Sequence, residues 1–276
     1  MIEPRKKIAI VGGNGGMGQM FHRLLSPNTK YQITIFEKED WYNPSLLKNQ
    51  DIVLISVPIK VTNDTIRKVS KIISPDTILA DFTSIKQKPL NKMLECFSGS
   101  VIGLHPIFGP KIPKADKQVI VCCEGRNPDK YDWFLEDIKS LGFKLEHMTS
   151  QEHDESMNFI QGIEHFSTYC LGKFLADKNV NLKNLLKISS PAYKYELNIV
   201  GRLFDQNPEL YADIILSDES RAKSINDFVS CIKKENFQIQ SHAREEFIKS
   251  FKEIQTWMGD FTEKAYIESD QLLNQT

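Results

Sequence analysis

The run Gly13-Asn14-Gly15-Gly16-Met17-Gly18 has a spacing that could do chemistry. It follows the apolar segment Ile8–Val11 and opens an amphipathic stretch, so it reads as a glycine turn from a strand into a helix. Glycines at this spacing permit the tight turn, let backbone approach a pyrophosphate, and allow close helix–strand packing. The helix start then offers amide N–H groups and a positive dipole end to the phosphates. Gly13, Gly15, Gly16, Met17 and Gly18 are therefore the expected phosphate cradle. Glu37 closes the next strand about 24 residues later, and a carboxylate there accepts hydrogen bonds from both ribose hydroxyls. It would also repel a 2′-phosphate, which favours NAD over NADP, although Lys38 stands next to it.

Ligands of an open α/β sheet bind at the carboxyl ends of the strands. At those ends the sequence puts Ser56-Val57-Pro58, whose backbone could line the nicotinamide ribose, then Ser84 and Lys86, then His105. Pro106 forces His105 to be extended. A histidine beside a nicotinamide has a task, because hydride loss from a carbinol carbon requires an acceptor for the hydroxyl proton. Ser84 could fix the direction of that hydroxyl. Downstream, His153 and His165 flank a long helical stripe, and Lys194 and Arg202 lie about two helical turns, roughly 12 Å, apart. Arg202 interrupts an apolar run, and a guanidinium facing a cleft suits a carboxylate. His22, His147 and His242 read as surface or satisfied residues.

These residues must be positioned by elements of two textures that meet near Thr149. Before it, strands are expected at Lys7–Val11, Gln32–Phe36, Ile52–Val57, Ile78–Asp81, Val101–Leu104, Gln118–Cys122 and Lys144–Glu146. Helices are expected at Met17–Leu25, Val61–Ile72, Lys88–Cys96 and Lys130–Leu141. Apolar strands alternating with helical patterns imply a doubly wound, mostly parallel sheet with both faces covered. After it the strand signal stops. Met157, Ile160, Ile163, Phe166, Cys170 and Phe174 recur at helical spacing, and further helices are expected at Pro191–Phe204, Pro208–Leu216, Arg221–Glu235 and Ala243–Glu268. The expected domains are thus a dinucleotide-binding half, 1–149, and an all-helical half, 150–276. So much apolar helix surface points to a homodimer through the second half.

Composition narrows the function classes. The 276 residues carry 35 Lys+Arg against 36 Asp+Glu, a net charge of −1, which gives no basic excess for phosphate neutralisation and so no nucleic-acid partner. The longest charge-free apolar run, near Ile52–Ile59, is far short of the roughly 20 residues that span a bilayer. Arg5, Lys6 and Lys7 precede an apolar run that breaks at once into glycines, so no signal-peptide core is expected. Five cysteines without a CxxC pair form no zinc site and read as free thiols of a reducing cytoplasm. No metal is expected.

The segments Ile8–Gly18, Ser56-Val57-Pro58-Ile59, Gly103-Leu104-His105-Pro106 and Val200-Gly201-Arg202-Leu203-Phe204 together resemble prephenate dehydrogenase. Within that family they are most like the dehydrogenase half of the bifunctional chorismate mutase/prephenate dehydrogenase, the T-protein. The resemblance runs from about Lys7 to Leu272 and takes in Glu152-His153-Asp154, Ser189-Ser190-Pro191 and Leu210–Ile214. It implies a Rossmann domain joined to a helical dimerisation domain, and oxidative decarboxylation of prephenate to 4-hydroxyphenylpyruvate with NAD in tyrosine synthesis. It also implies that His105 accepts a hydrogen bond from the substrate 4-hydroxyl with help from Ser84. Arg202 would bind the ring carboxylate, and His165 would lie near the substrate and take part in the response to tyrosine as feedback inhibitor. Lys86 matches a lysine of the family motif and is expected among the substrate ligands. At Lys194 the relatives carry arginine, so a bidentate contact would become a point charge there. Nothing before Lys7 supplies a mutase domain. Two alternatives share the scaffold: an arogenate dehydrogenase, and a catalytically silent nucleotide-binding sensor.

Overall fold

A computed structural model describes residues 5–274, which divide into two compact units between Met157 and Asn158. The first unit is built on a seven-stranded sheet. Its strands are β1 (Lys6–Val11), β2 (Tyr31–Phe36), β3 (Ile52–Ile55), β4 (Ile78–Asp81), β5 (Ser100–Pro106), β6 (Val119–Arg126) and β7 (Lys144–His147). They lie in the order β2-β1-β3-β4-β5-β6-β7, parallel except for the antiparallel β5–β6 pair. The chain runs outward from β1 to β2 and returns to β3 on the other side of β1. The carboxyl ends of β1 and β3 therefore form the switch point where such sheets hold ligands.

Alternation along the strands assigns the two faces. Ile8, Ile10, Ile52, Leu54, Ile78, Ala80, Ile102 and Leu104 point to one face. There they meet Met20, Phe21 and Leu25 of α1 (Gly16–Leu25), and Phe134, Leu135 and Ile138 of α4 (Asp132–Ser140). Ala9, Val11, Val53, Ile55, Leu79 and Val101 point to the other. They meet Ile66 and Val69 of α2 (Ile59–Val69), and Leu90 and Met93 of α3 (Gln87–Cys96). Both faces are dry, which is why the strands read as unbroken apolar runs. Helix α5 (Ser150–Met157) completes this unit and packs on α3 and β6.

The second unit, over the described residues, is helical. A π-helical turn, Asn158–Ile163, leads into α6 (Glu164–Asp177), followed by α7 (Leu182–Lys187), α8 (Pro191–Phe204), α9 (Pro208–Ile215), α10 (Glu219–Gln240), α11 (Arg244–Met258) and α12 (Phe261–Leu273). Side-chain caps start four of them: Asn181, Ser190, Asn207 and Asp218 each accept a backbone N–H from the first turn. Pro191 and Pro208 occupy first-turn positions, where the missing N–H costs nothing. The long helix expected over Ala243–Glu268 is broken, because Gly259 adopts φ +54° and ends α11. Gly172 lets α6 and α8 approach closely, since a Cβ there would meet the Phe204 ring at 2.2 Å. Large apolar side chains remain exposed on the single chain, among them Phe237, Phe251, Trp257 and Tyr266.

Candidate functional site

The glycine turn sits at the switch point. Gly12 takes φ +78°, and a Cβ there would lie 2.5 Å from the Ser56 carbonyl oxygen and 2.9 Å from a Val57 methyl. Glycine at 12 thus satisfies both a left-handed backbone and the close approach of the β3 loop. Gly18 answers a different need, as its Cβ would fall 2.6 Å from Gly13 Cα where α1 crosses the turn. Gly15 caps α1 in extended conformation without a side-chain acceptor, which leaves the first-turn amides to a ligand. Pro110, from the loop after β5, lies over Gly16 at 3.0 Å from its ideal Cβ.

Glu37 belongs to the same turn. Its carboxylate accepts the Asn14 backbone N–H at 2.6 Å, and its own N–H donates to Asp40 Oδ2 at 2.7 Å in a reciprocal cap of the following 3-10 turn. A half-buried carboxylate held beside the glycines fits a ribose diol and repels an added phosphate. Glycines, uncapped amides and Glu37 together suit NAD. Ser56-Val57-Pro58 leaves β3 against this turn, with Ser56 N–H bonded to the Val11 carbonyl at 2.8 Å.

The ends of β4 and β5 carry the remaining polar groups of this unit. His105 ends β5 with 2 % exposure, and Ser84 is half-buried in the loop after β4. Lys86, expected among the substrate ligands, has its ammonium wholly enclosed. It pairs with the Asp81 carboxylate and donates to the Leu104 carbonyl at 2.8 Å. Thr83 also donates to Asp81, through its backbone N–H at 3.0 Å and its hydroxyl. The buried pair therefore ties the end of β4 to the strand that carries His105.

His153, from α5, is fully buried, and its Nε2 lies 2.7 Å from His105 Nδ1. Its Nδ1 lies 2.7 Å from Asp154 Oδ1. Asp154 also accepts the N–H groups of Lys86 at 2.8 Å and Gln87 at 2.9 Å, capping α3. Burial holds the His153 pKa below the usual imidazole range, against the pull of Asp154. Burial would raise Asp154, but its bonds from His153, Gln87 and Lys86 outweigh that and lower it.

In the helical unit, His165 Nδ1 pairs with Glu164, and its ring packs edge-on to Tyr211 with centroids 4.9 Å apart. Burial, helped by the Arg221 charge, lowers the His165 pKa, while Glu164 opposes. Burial raises the Tyr211 phenol, Glu164 adds to this, and the nearby Arg202 charge opposes it. Arg202 and His165 are thus gathered around Tyr211, which residue types alone did not single out. Lys194 is exposed on the first turn of α8. Arg221 is wholly buried, donates to the Ile214 carbonyl, and passes under Gly162 of the π turn.

Residues 31–121 match the family model described as "Prephenate dehydrogenase, nucleotide-binding domain", and residues 149–253 match "Prephenate dehydrogenase, dimerization domain". The T-protein of Haemophilus influenzae is 43 % identical over 270 residues, covering 98 % of this chain and 71 % of that protein. The chain belongs to the prephenate dehydrogenase family. Membership makes it an NAD-dependent oxidoreductase, with a dimerisation domain in its helical half. The "Probable arogenate/prephenate dehydrogenase" of Methanocaldococcus jannaschii is 32 % identical over 285 residues, 96 % of this chain and 64 % of that protein. The fold agrees with a solved prephenate dehydrogenase from A. aeolicus in complex with hydroxyphenyl propionate and NAD+. Its TM-score is 0.70 at 19 % identity, over 93 % of this chain and 98 % of that one. Among the described residues no helix is long and apolar enough to cross a membrane, and no group of His, Cys, Asp and Glu could hold a metal ion.

Proposed function

We propose that this site carries out the NAD-dependent oxidative decarboxylation of prephenate to 4-hydroxyphenylpyruvate, a step of tyrosine synthesis. The observation that carries the reading is an imidazole, His105, at the carboxyl end of β5, on the sheet edge that also holds the glycine turn. NAD, when bound, supplies the acceptor for the hydride leaving C4. The remaining chemistry falls to the protein. His105 takes the proton of the 4-hydroxyl as the C4–O bond gains carbonyl character, and Ser84 orients that hydroxyl. The ring carboxylate leaves as CO2, the electron pair of the broken C–C bond completes the aromatic ring, and the phenolic oxygen regains a proton. Aromatisation supplies most of the driving force, so the enzyme mainly orients C4 and accepts one proton.

Prephenate is a dianion and needs a fixed cation. Arg202 is the group suited to its ring carboxylate, with Lys194 as a weaker, non-bidentate contact. His165, beside Tyr211, is the candidate for response to tyrosine. Lys86 acts on the end of β5 through Asp81 and Leu104. The helical unit that begins at Asn158, eight residues after the expected boundary at 150, is the half through which two copies pair in the cytoplasm. The deciding experiment is NADH formation from prephenate, with arogenate in parallel and with tyrosine added to each. NADH from prephenate is expected. Formation from arogenate alone would reassign the substrate, and none from either at saturation would leave a nucleotide-binding sensor.

A further inference from the structure

The contacts of His153 decide where the protons of His105 sit. Asp154 Oδ1 can only accept, and it already takes the Lys86 N–H, so the 2.7 Å contact to His153 Nδ1 requires a proton on that nitrogen. His153 is fully enclosed, and burial favours its neutral form. A neutral imidazole protonated at Nδ1 has a bare lone pair at Nε2. His105 Nδ1 stands 2.7 Å from that lone pair and must donate to it. The two rings meet at 68° with centroids 4.9 Å apart, which is an edge contact and not a stack. Neutral His105 is left with its lone pair at Nε2.

We propose that His153 is a positioning residue that fixes His105 in the Nδ1–H tautomer, with Asp154 as the anchor that fixes His153. This rests on His105 being the proton acceptor, since only the Nδ1–H tautomer presents a basic Nε2. When Nε2 takes the hydroxyl proton, the new charge is stabilised along the chain His105–His153–Asp154. A proton added to His153 would reverse the pair: its Nε2 would donate to His105 Nδ1, and His105 would carry its proton on Nε2. The charged groups around His153 are Asp154 on its own helix and the Lys86–Asp81 pair from the β4 side, whose opposite charges offset one another.

Long-range 1H–15N correlation spectra of the full chain labelled with 15N-histidine read this tautomer without substrate, and the spectrum of His105→Asn assigns the signal. Wild type at slightly basic pH is expected to show His105 protonated at Nδ1. His153→Asn keeps a donor for Asp154 but withdraws the acceptor. It should give a mixed His105 pattern and a kcat about 10–10²-fold lower, with NAD affinity held. His153→Gln offers Oε1 near the former Nε2 and should restore both the pattern and most of kcat. An Nε2–H pattern in wild type, an unchanged pattern in His153→Asn, or equal kcat in the Asn and Gln variants overturns the proposal. Inactivity of wild type toward prephenate would instead sink the reading of the reaction while leaving the tautomer result standing.

Discussion

The Lys86 ammonium and the Asp81 carboxylate form an ion pair with both side chains wholly out of water, five positions apart at the end of β4. Removing one partner of such a pair leaves an uncompensated buried charge. Lys86→Met is therefore expected to lose about 3–5 kcal/mol of stability. Adding Asp81→Leu should return much of it. Urea midpoints of the single and double variants test this. A loss below about 1 kcal/mol in Lys86→Met would free the lysine for another role.

Substituting His105 by Asn removes the proton acceptor and keeps the side chain polar. Turnover should fall by about 10²–10⁴, with NAD affinity nearly unchanged because the glycine turn is untouched. Steady-state rates alongside cofactor titration check both halves, and near-wild-type turnover would remove His105 from the chemistry.

Arg202→Gln should act on substrate binding. Loss of one charge-assisted contact to a carboxylate corresponds to about 1.5–3 kcal/mol, or roughly 10–10²-fold in KM for prephenate. An unchanged KM would make Arg202 a structural neighbour of Tyr211 only.

The glycine turn makes a sharper steric prediction. Ala at position 12 would combine a left-handed φ of +78° with a Cβ 2.5 Å from the Ser56 carbonyl. The backbone penalty alone is about 1–2 kcal/mol. Gly12→Ala is expected to lower the melting temperature and weaken NAD binding together, as read by calorimetry and cofactor fluorescence.

A fully buried histidine and a half-buried one set an acid limit on stability. His153 and His165 both titrate below the ordinary imidazole value in the folded state. The unfolded chain therefore binds their protons first. Their contribution is fully present above about pH 6.5 and is lost as pH falls below it. The lowered Asp154 adds a second loss at more acid pH, below the usual carboxylate range. Melting temperature measured from pH 8 to 5 should be flat at first and then fall, and His153→Gln should flatten the fall.

Much of the sheet was legible because its strands are covered on both faces. Ile78–Asp81 coincides with its expected span, and β1, β2 and β7 differ from theirs by a residue. Expectation and structure part where tertiary context decides. Two adjacent glycines do not reveal which one turns left-handed; Gly12 does, forced by the Ser56 carbonyl across the turn. Lys86 read as a ligand because it shares the strand-end edge with Ser84 and His105 and matches a lysine of the family motif, while its counter-charge Asp81 closes a strand that read as apolar. His153 stood out as one of two histidines flanking a helix and as part of the run Glu152-His153-Asp154, without an assigned role. Its partners are separated from it by 48 residues on one side and one residue on the other, a pattern with no periodicity to betray it. The π turn at Asn158–Ile163 is likewise absent from the apolar spacing, which runs on through it.

Asp154 serves three donors with two oxygens: the amide of the α3 cap residue Lys86, the first α3 amide at Gln87, and the ring of His153. One side chain thus couples the start of one helix to the orientation of an imidazole on another. Replacements there cannot trade robustness against rate, because an engineer or a lineage that loosens the first loosens the second in the same substitution. Position 154 should tolerate almost nothing, while its exposed neighbours on α5 drift.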